Sequence, residues 1–95
     1  LEFRRVLFRS GLSFSVFPNP ASESLRISFK SNTSGQTTFS LYDLSGKLVK
    51  SESHNVSSGN TFDTEWNDIS SFQKGVYLLN VRNTTGETTK RVVIN

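Results

Sequence analysis

The sequence predicts an all-β protein, an antiparallel sandwich of about seven short strands. Three observations lead there. Apolar and polar residues alternate over short stretches and never recur at helical spacing. Turn chemistry in Gly, Asn, Ser and Pro interrupts them at intervals of ~8–12 residues. The composition is rich in Ser, Thr, Asn, Phe and Val, residues suited to a pleated, half-buried surface or to its turns.

The elements follow in order. Leu12, Phe14 and Val16 alternate with Ser13 and Ser15, a first strand that Pro18-Asn19-Pro20 stops. Proline has no N–H for a ladder and biases the residue before it toward extended backbone. Leu25, Ile27 and Phe29 alternate with Ser24, Arg26, Ser28 and Lys30, a strand with one buried face. SNTSGQ is a loop. The third strand runs over 37–44, with Phe39 and Leu41 on one face and Tyr42 and Leu44 on the other. Asp43-Leu44-Ser45-Gly46 is a tight turn, because Asp bonds the backbone two residues on and Gly takes positive φ. Residues 47–56 return as its partner, and 57–60 turn again. Phe62, Thr64 and Trp66 mark the inward face of a fifth strand. An irregular link over 67–74 points Ile69 and Phe72 at the core. GVYLLNV is the strongest strand, Asn83-Thr84-Thr85-Gly86 turns, and 88–94 closes the sheet.

Ninety-five residues make one domain with one modest core. With no cysteine there is no disulfide framework and no thiolate metal site. No apolar run reaches the length of a membrane span, and no signal peptide is visible. The net charge is +3, but LEFRRVLFRS carries three arginines against one glutamate. The other residues hold only +1, too little for a nucleic-acid partner. Those first ten residues resemble the translation of a sequencing adapter, CTGGAGTTCAGACGTGTGCTCTTCCGATCT. The expected division is therefore 1–10 as a non-native segment and 11–95 as the domain.

Groups that carry chemistry are sparse. His54 is the only histidine and has no cysteine to partner it, so no catalytic residue and no cofactor are expected. Asp63 and Glu65 share a strand face with Asp68 near by. They have the donor type for calcium but lack a glycine-punctuated loop, so a solvated face accounts for them and no metal is expected. Trp66, Tyr42 and Tyr77 are the rings from which a sugar platform would be built, although one Trp in a sandwich more often plugs the core. Lys90 and Arg91, with Arg82 across the hairpin, read as a basic patch that protects an edge. Sequons at Asn32, Asn55 and Asn83 are expected by chance in such a chain.

The pieces FPNPASESLRI, LYDLSGKLV, GVYLLNV, a glycine hairpin and a closing KRVVI stand in a known order. Together, over about 14–95, they resemble the type A C-terminal sorting domain of type IX (Por) secretion in the Bacteroidota. The resemblance implies an immunoglobulin-like β-sandwich with no active site, fused to a cargo that lies outside this chain. It implies as partners the outer-membrane translocon and a cell-surface sortase that removes the domain. The cargo would pass through the periplasm and end at the cell surface or outside the cell. By the same resemblance Pro18, Asn19 and Pro20 shape the entry, and Asp43 and Gly46 hold the central hairpin. Gly75 and Tyr77 start the penultimate strand, and Gly86, Lys90, Arg91 and Val92 belong to the hairpin the machinery reads. Two other readings compete: a carbohydrate- or protein-binding sandwich appended to a secreted enzyme, and a passive spacer. Recognition is expected at the terminal hairpin, through an exposed strand edge.

Overall fold

The structure is a computed structural model and describes residues 13–31, 33–84 and 86–95. The expectations for residues 1–10, for Leu12, and for Asn32 and Thr85 fall outside it. Among the described residues seven strands form two sheets: β1 (Ser13–Phe17), β2 (Leu25–Lys30), β3 (Gly35–Asp43), β4 (Leu48–Val56), β5 (Thr61–Trp66), β6 (Gly75–Asn83) and β7 (Gly86–Ile94). One sheet has the order β1-β2-β5 and the other β4-β3-β6-β7. All pairings between these strands are antiparallel. The result is an immunoglobulin-like sandwich whose fourth strand lies beside the third, where the constant-type arrangement puts it beside the fifth.

Alternation decides what faces inward. Leu25, Ile27 and Phe29 of β2 are buried, while Arg26 and Lys30 between and beyond them are exposed. Thr37, Phe39 and Leu41 of β3, Tyr77, Leu79 and Val81 of β6, and Val92 and Ile94 of β7 complete the opposite wall. Phe29 meets Phe39 edge to face at 5.6 Å across the two sheets. Trp66 is only 2% exposed, so it plugs the core and offers no platform for a sugar. Side chains such as Ile27, Leu79 and Ile94 contribute about 1.5–3 kcal/mol each by leaving water.

The connections differ from the sequence reading in two places. The third strand begins at Gly35 and ends at Asp43, so Leu44 lies in the turn, not on the strand. The reason is Asp43 itself, whose carboxylate gathers the following amides. The stretch 57–60 carries the chain from the four-stranded to the three-stranded sheet and so joins strands that do not pair. It is anchored by Gly59 N–H to Ser31 O (2.9 Å) and Ser58 N–H to Ser34 Oγ (2.9 Å). A bulge sets Leu41 opposite Lys50 but Tyr42 opposite Leu48, leaving Val49 as the extra residue of β4. Ile69 is fully buried in a short 3-10 turn (Ile69–Ser71), and Phe72 packs behind it.

Candidate functional site

The two prolines bracket a clip. After β1 the chain crosses the rim of the sandwich and lies against the outer edge of β7. Asn19 donates from Nδ2 to the carbonyl of Arg91 (3.1 Å) and accepts from the Val93 N–H at Oδ1 (3.0 Å). Ala21 continues the contact by backbone alone, its N–H to Val93 O (2.8 Å) and its carbonyl to the Asn95 N–H (2.7 Å). This is a short parallel bridge, Ala21 to Ile94. Both Phe17-Pro18 and Asn19-Pro20 are cis. A proline on each side of Asn19 leaves that segment fewer competing donors, so one side-chain amide supplies what a paired strand would supply with its backbone. Ala21 is fully buried and joins the core cluster.

The central hairpin is held by Asp43. Its Oδ1 accepts from the Ser45 hydroxyl (2.6 Å), the Ser45 amide (2.9 Å) and the Lys47 amide (3.0 Å). The Ser45 hydroxyl, then the Lys47 amide, hold the carboxyl below its ordinary value. Gly46 sits at φ +90°, a conformation that a Cβ disfavours, with open space around it. Its requirement is therefore conformational and not a matter of packing.

Tyr77 lies near the start of β6, and its hydroxyl donates to the carbonyl of Gln73. This is the tyrosine corner of immunoglobulin-like sandwiches, a buried ring tying the rim to the strand it begins. Gly75 opens β6 opposite Ile94, and Gly86 opens β7 opposite Asn83. Val92 is fully buried.

Lys90 and Arg91 do not form one patch with Arg82. Neighbours on a strand point to opposite faces. Lys90 is paired with the buried Leu79 and reaches over the Phe14 ring of the other sheet, 5.2 Å from its centroid. Arg91, paired with Leu78, faces outward, and Arg82 stands opposite Glu87. Lys90 thus closes the gap between the sheets on the β1–β7 side with its apolar stem and its charge over a ring.

The other open side is closed by residues that alternation could not place. Lys50, Glu52 and His54 of β4 face inward, opposite Leu41, Phe39 and Thr37. Lys50 lies over the Trp66 ring (5.2 Å) and pairs with Asp68 (3.1 Å). His54 bonds Glu52 (3.0 Å) and packs on Phe62 (4.7 Å between centroids). Partial burial pushes the Glu52 carboxyl up, but the His54 bond, the nearby Trp66 indole and the Lys50 charge outweigh it and hold it low. The Trp66 indole N–H is buried and has no hydrogen-bond partner within bonding geometry. SESHNV is polar on both faces, which hid this inward set. Asp63 and Glu65 stand on the outer face of the three-stranded sheet beside Arg26 and exposed Phe17, around a shallow cleft. No group of three acidic, histidine or cysteine side chains able to hold a metal occurs among the described residues.

The geometry ties the first proline motif to the last strand. A family model described as "Secretion system C-terminal sorting domain" matches residues 15–95. The chain belongs to that family. It is a sorting-signal domain of the type IX (Por) system, and the proteins that carry such a domain are secreted or displayed at the cell surface. The sorting domain is also similar in fold to a crystal structure of dimeric latent PorU from Porphyromonas gingivalis. The identity is 22% and the TM-score 0.71, over 93% of this chain and 10% of that one. The sorting domain therefore spans about a tenth of that protein's length. Comparison with curated proteins finds no match. Among the described residues no helix is long and apolar enough to cross a membrane.

Proposed function

We propose that the domain directs an N-terminally fused cargo through the outer-membrane type IX translocon. On this reading a cell-surface sortase then removes the domain, and the cargo is attached to the surface or released. The cargo is in the periplasm only in transit. The observation that carries the proposal is the family match over 15–95, joined to the clip that binds Asn19 to Arg91 and Val93. The residues Pro18, Asn19, Pro20, Asp43, Gly46, Gly75, Tyr77, Gly86 and Val92 act by building the rim and hairpins that present the signal. Lys90 holds the open side beside Phe14, and Arg91 is the outward member of the set. The clip refines where a partner reads the terminal strand. The outer edge from Arg91 to Asn95 is already bonded by Asn19 and Ala21, so backbone pairing by a partner is confined to the earlier half of β7.

A secretion assay tests this. The full chain is fused behind a signal peptide and a fluorescent reporter and expressed in a type IX-competent bacterium and in a translocon-null strain. Reporter at the surface or in the medium of the competent strain alone is the expected result. Folded reporter trapped in the periplasm of both strains would refute the proposal.

A further inference from the structure

The outer face of the four-stranded sheet is divided into two halves. The register sets its residues in rows across β4, β3, β6 and β7. Ser53, Thr38, Arg82 and Glu87 form one row, and Ser51, Ser40, Asn80 and Thr89 the next. These are joined side by side: Thr38 Oγ1 to Ser53 Oγ at 2.9 Å, Asn80 Nδ2 to Thr89 Oγ1 at 2.9 Å and to Glu87 Oε1 at 3.1 Å. This half is polar throughout, as the outer face of an antiparallel sheet should be, with Ser40 and Asn80 at its centre buried. The following rows change character. Leu48, Tyr42 and Leu78 stand abreast, then Val76 beside Val93, with Leu44 in the turn above them. Leu44 is 67% exposed and Leu48 49% exposed, and the other four are partly exposed.

Three separate stretches meet here: LYDLSGKLV, GVYLLNV and KRVVI. Each gives its alternate residues to the core, and each also gives apolar residues to the outside, where alternation calls for polar ones. A core explains Leu41, Tyr77, Leu79, Val92 and Ile94; it does not explain Leu44, Leu48 or Leu78. The charges flanking the apolar rows are cationic. Arg91 ends the Leu78 row and is exposed, and Lys47 follows the turn, exposed as well. The nearby carboxylate of Asp43 is folded onto the Ser45 and Lys47 amides.

We propose that this apolar half-face is the docking surface for a protein of the sorting machinery that presents apolar side chains edged by carboxylates. The proposal rests on the sorting function above and assigns it a surface distinct from the edge of β7. Contiguous exposed apolar patches on a small domain mark interaction sites, and the two cations at this rim, Arg91 and Lys47, orient the partner.

The test uses the same reporter fusion with paired substitutions on one face. Leu44→Glu and Arg91→Glu alter the apolar half, and Ser53→Glu alters the polar half. Leu44→Lys removes the same apolar side chain but suits an acidic partner. Each purified variant is melted to confirm folding. Leu44 lies in a turn and is largely exposed, so its variants keep the fold. In the competent strain, surface reporter is expected to fall about tenfold or more for Leu44→Glu and Arg91→Glu, as at the centre of an interface. It should fall less for Leu44→Lys and not at all for Ser53→Glu. Folded Leu44→Glu exported like the unmodified chain, or Ser53→Glu failing equally, overturns the proposal. So does a purified dimer that Leu44→Glu splits without loss of export, since a second copy would then cover the patch. An unmodified chain that is itself not exported is a different result and refutes the sorting reading.

Discussion

At the scale of single residues, Asn19 is the side chain with the most unusual task. It stands in for a strand, giving one donor and one acceptor to the edge of β7. Alanine would leave the Arg91 carbonyl and the Val93 amide to water at an open rim, while β7 keeps its ladder with β6. Each lost bond contributes about 0.5–1.5 kcal/mol net. Asn19→Ala is therefore expected to lower unfolding stability by roughly 1–3 kcal/mol in a urea titration. Amide exchange should quicken at Val93 and Asn95 before it does in β6. Stability unchanged within error, with those amides still protected, would show that the clip is held by Ala21 alone. The sequence carried the motif legibly but not its partner. Two prolines around an asparagine announce a special backbone, whereas the bonds to Arg91 and Val93 lie across 72 and 74 residues and leave no local trace.

At the scale of elements, the β3–β4 hairpin depends on a charged Asp43. Its carboxyl is held below the ordinary value in the fold, so the unfolded chain takes up the proton first as pH falls. The stabilisation is complete above the unfolded value, near pH 4, and disappears as pH drops through the folded one. In melts taken from neutral to acid pH, Asp43→Asn should be less stable than the unmodified chain at pH 7. The difference should shrink below about pH 4. A gap that stays constant with pH would mean that the shape of the side chain matters and its charge does not. This turn was readable from DLSG alone, because Asx and glycine chemistry is local. The strands of the core were readable for the same reason, since Leu25, Ile27 and Phe29 alternate cleanly. Leu44 was misplaced because a strand reading by alternation does not register when Asp43 takes the amides that a strand would offer its neighbour. β4 was legible as a strand and as the partner of β3, but not by its faces. With Ser, Glu, His and Asn along it, nothing in the order said that Glu52 and His54 face inward.

At the scale of the whole molecule, a sandwich has two open sides and each is closed differently. The β1–β7 side has the clip and the Lys90 ammonium over the Phe14 ring. The β4–β5 side has Lys50, Glu52 and His54 set against Trp66 and Phe62. Charges aimed inward on an edge strand discourage another strand from docking there. Replacing Lys50 and Glu52 together with valine removes that guard along a strand of nine residues. The double variant is expected to associate at concentrations where the unmodified chain does not, with its β spectrum intact. Light scattering would read this, and identical scattering for both proteins would place the protection elsewhere. The sandwich class was visible in the spacing of turns. The pairing of β4 with β3 was visible too, through the tight turn between them, but the crossing of 57–60 to the other sheet was not, because which sheet the next strand joins is settled by packing and not by its own pattern.

The clip also has a consequence in time. Its two halves are separated by nearly the full length of the described chain, and closing so long a loop costs more entropy than closing a hairpin. While the polypeptide emerges, residues 18–21 have no partner until 91–95 exist beside β6. The opening motif is therefore idle in every shorter intermediate. A chain that has lost its last strand keeps the motif with nothing for it to bind.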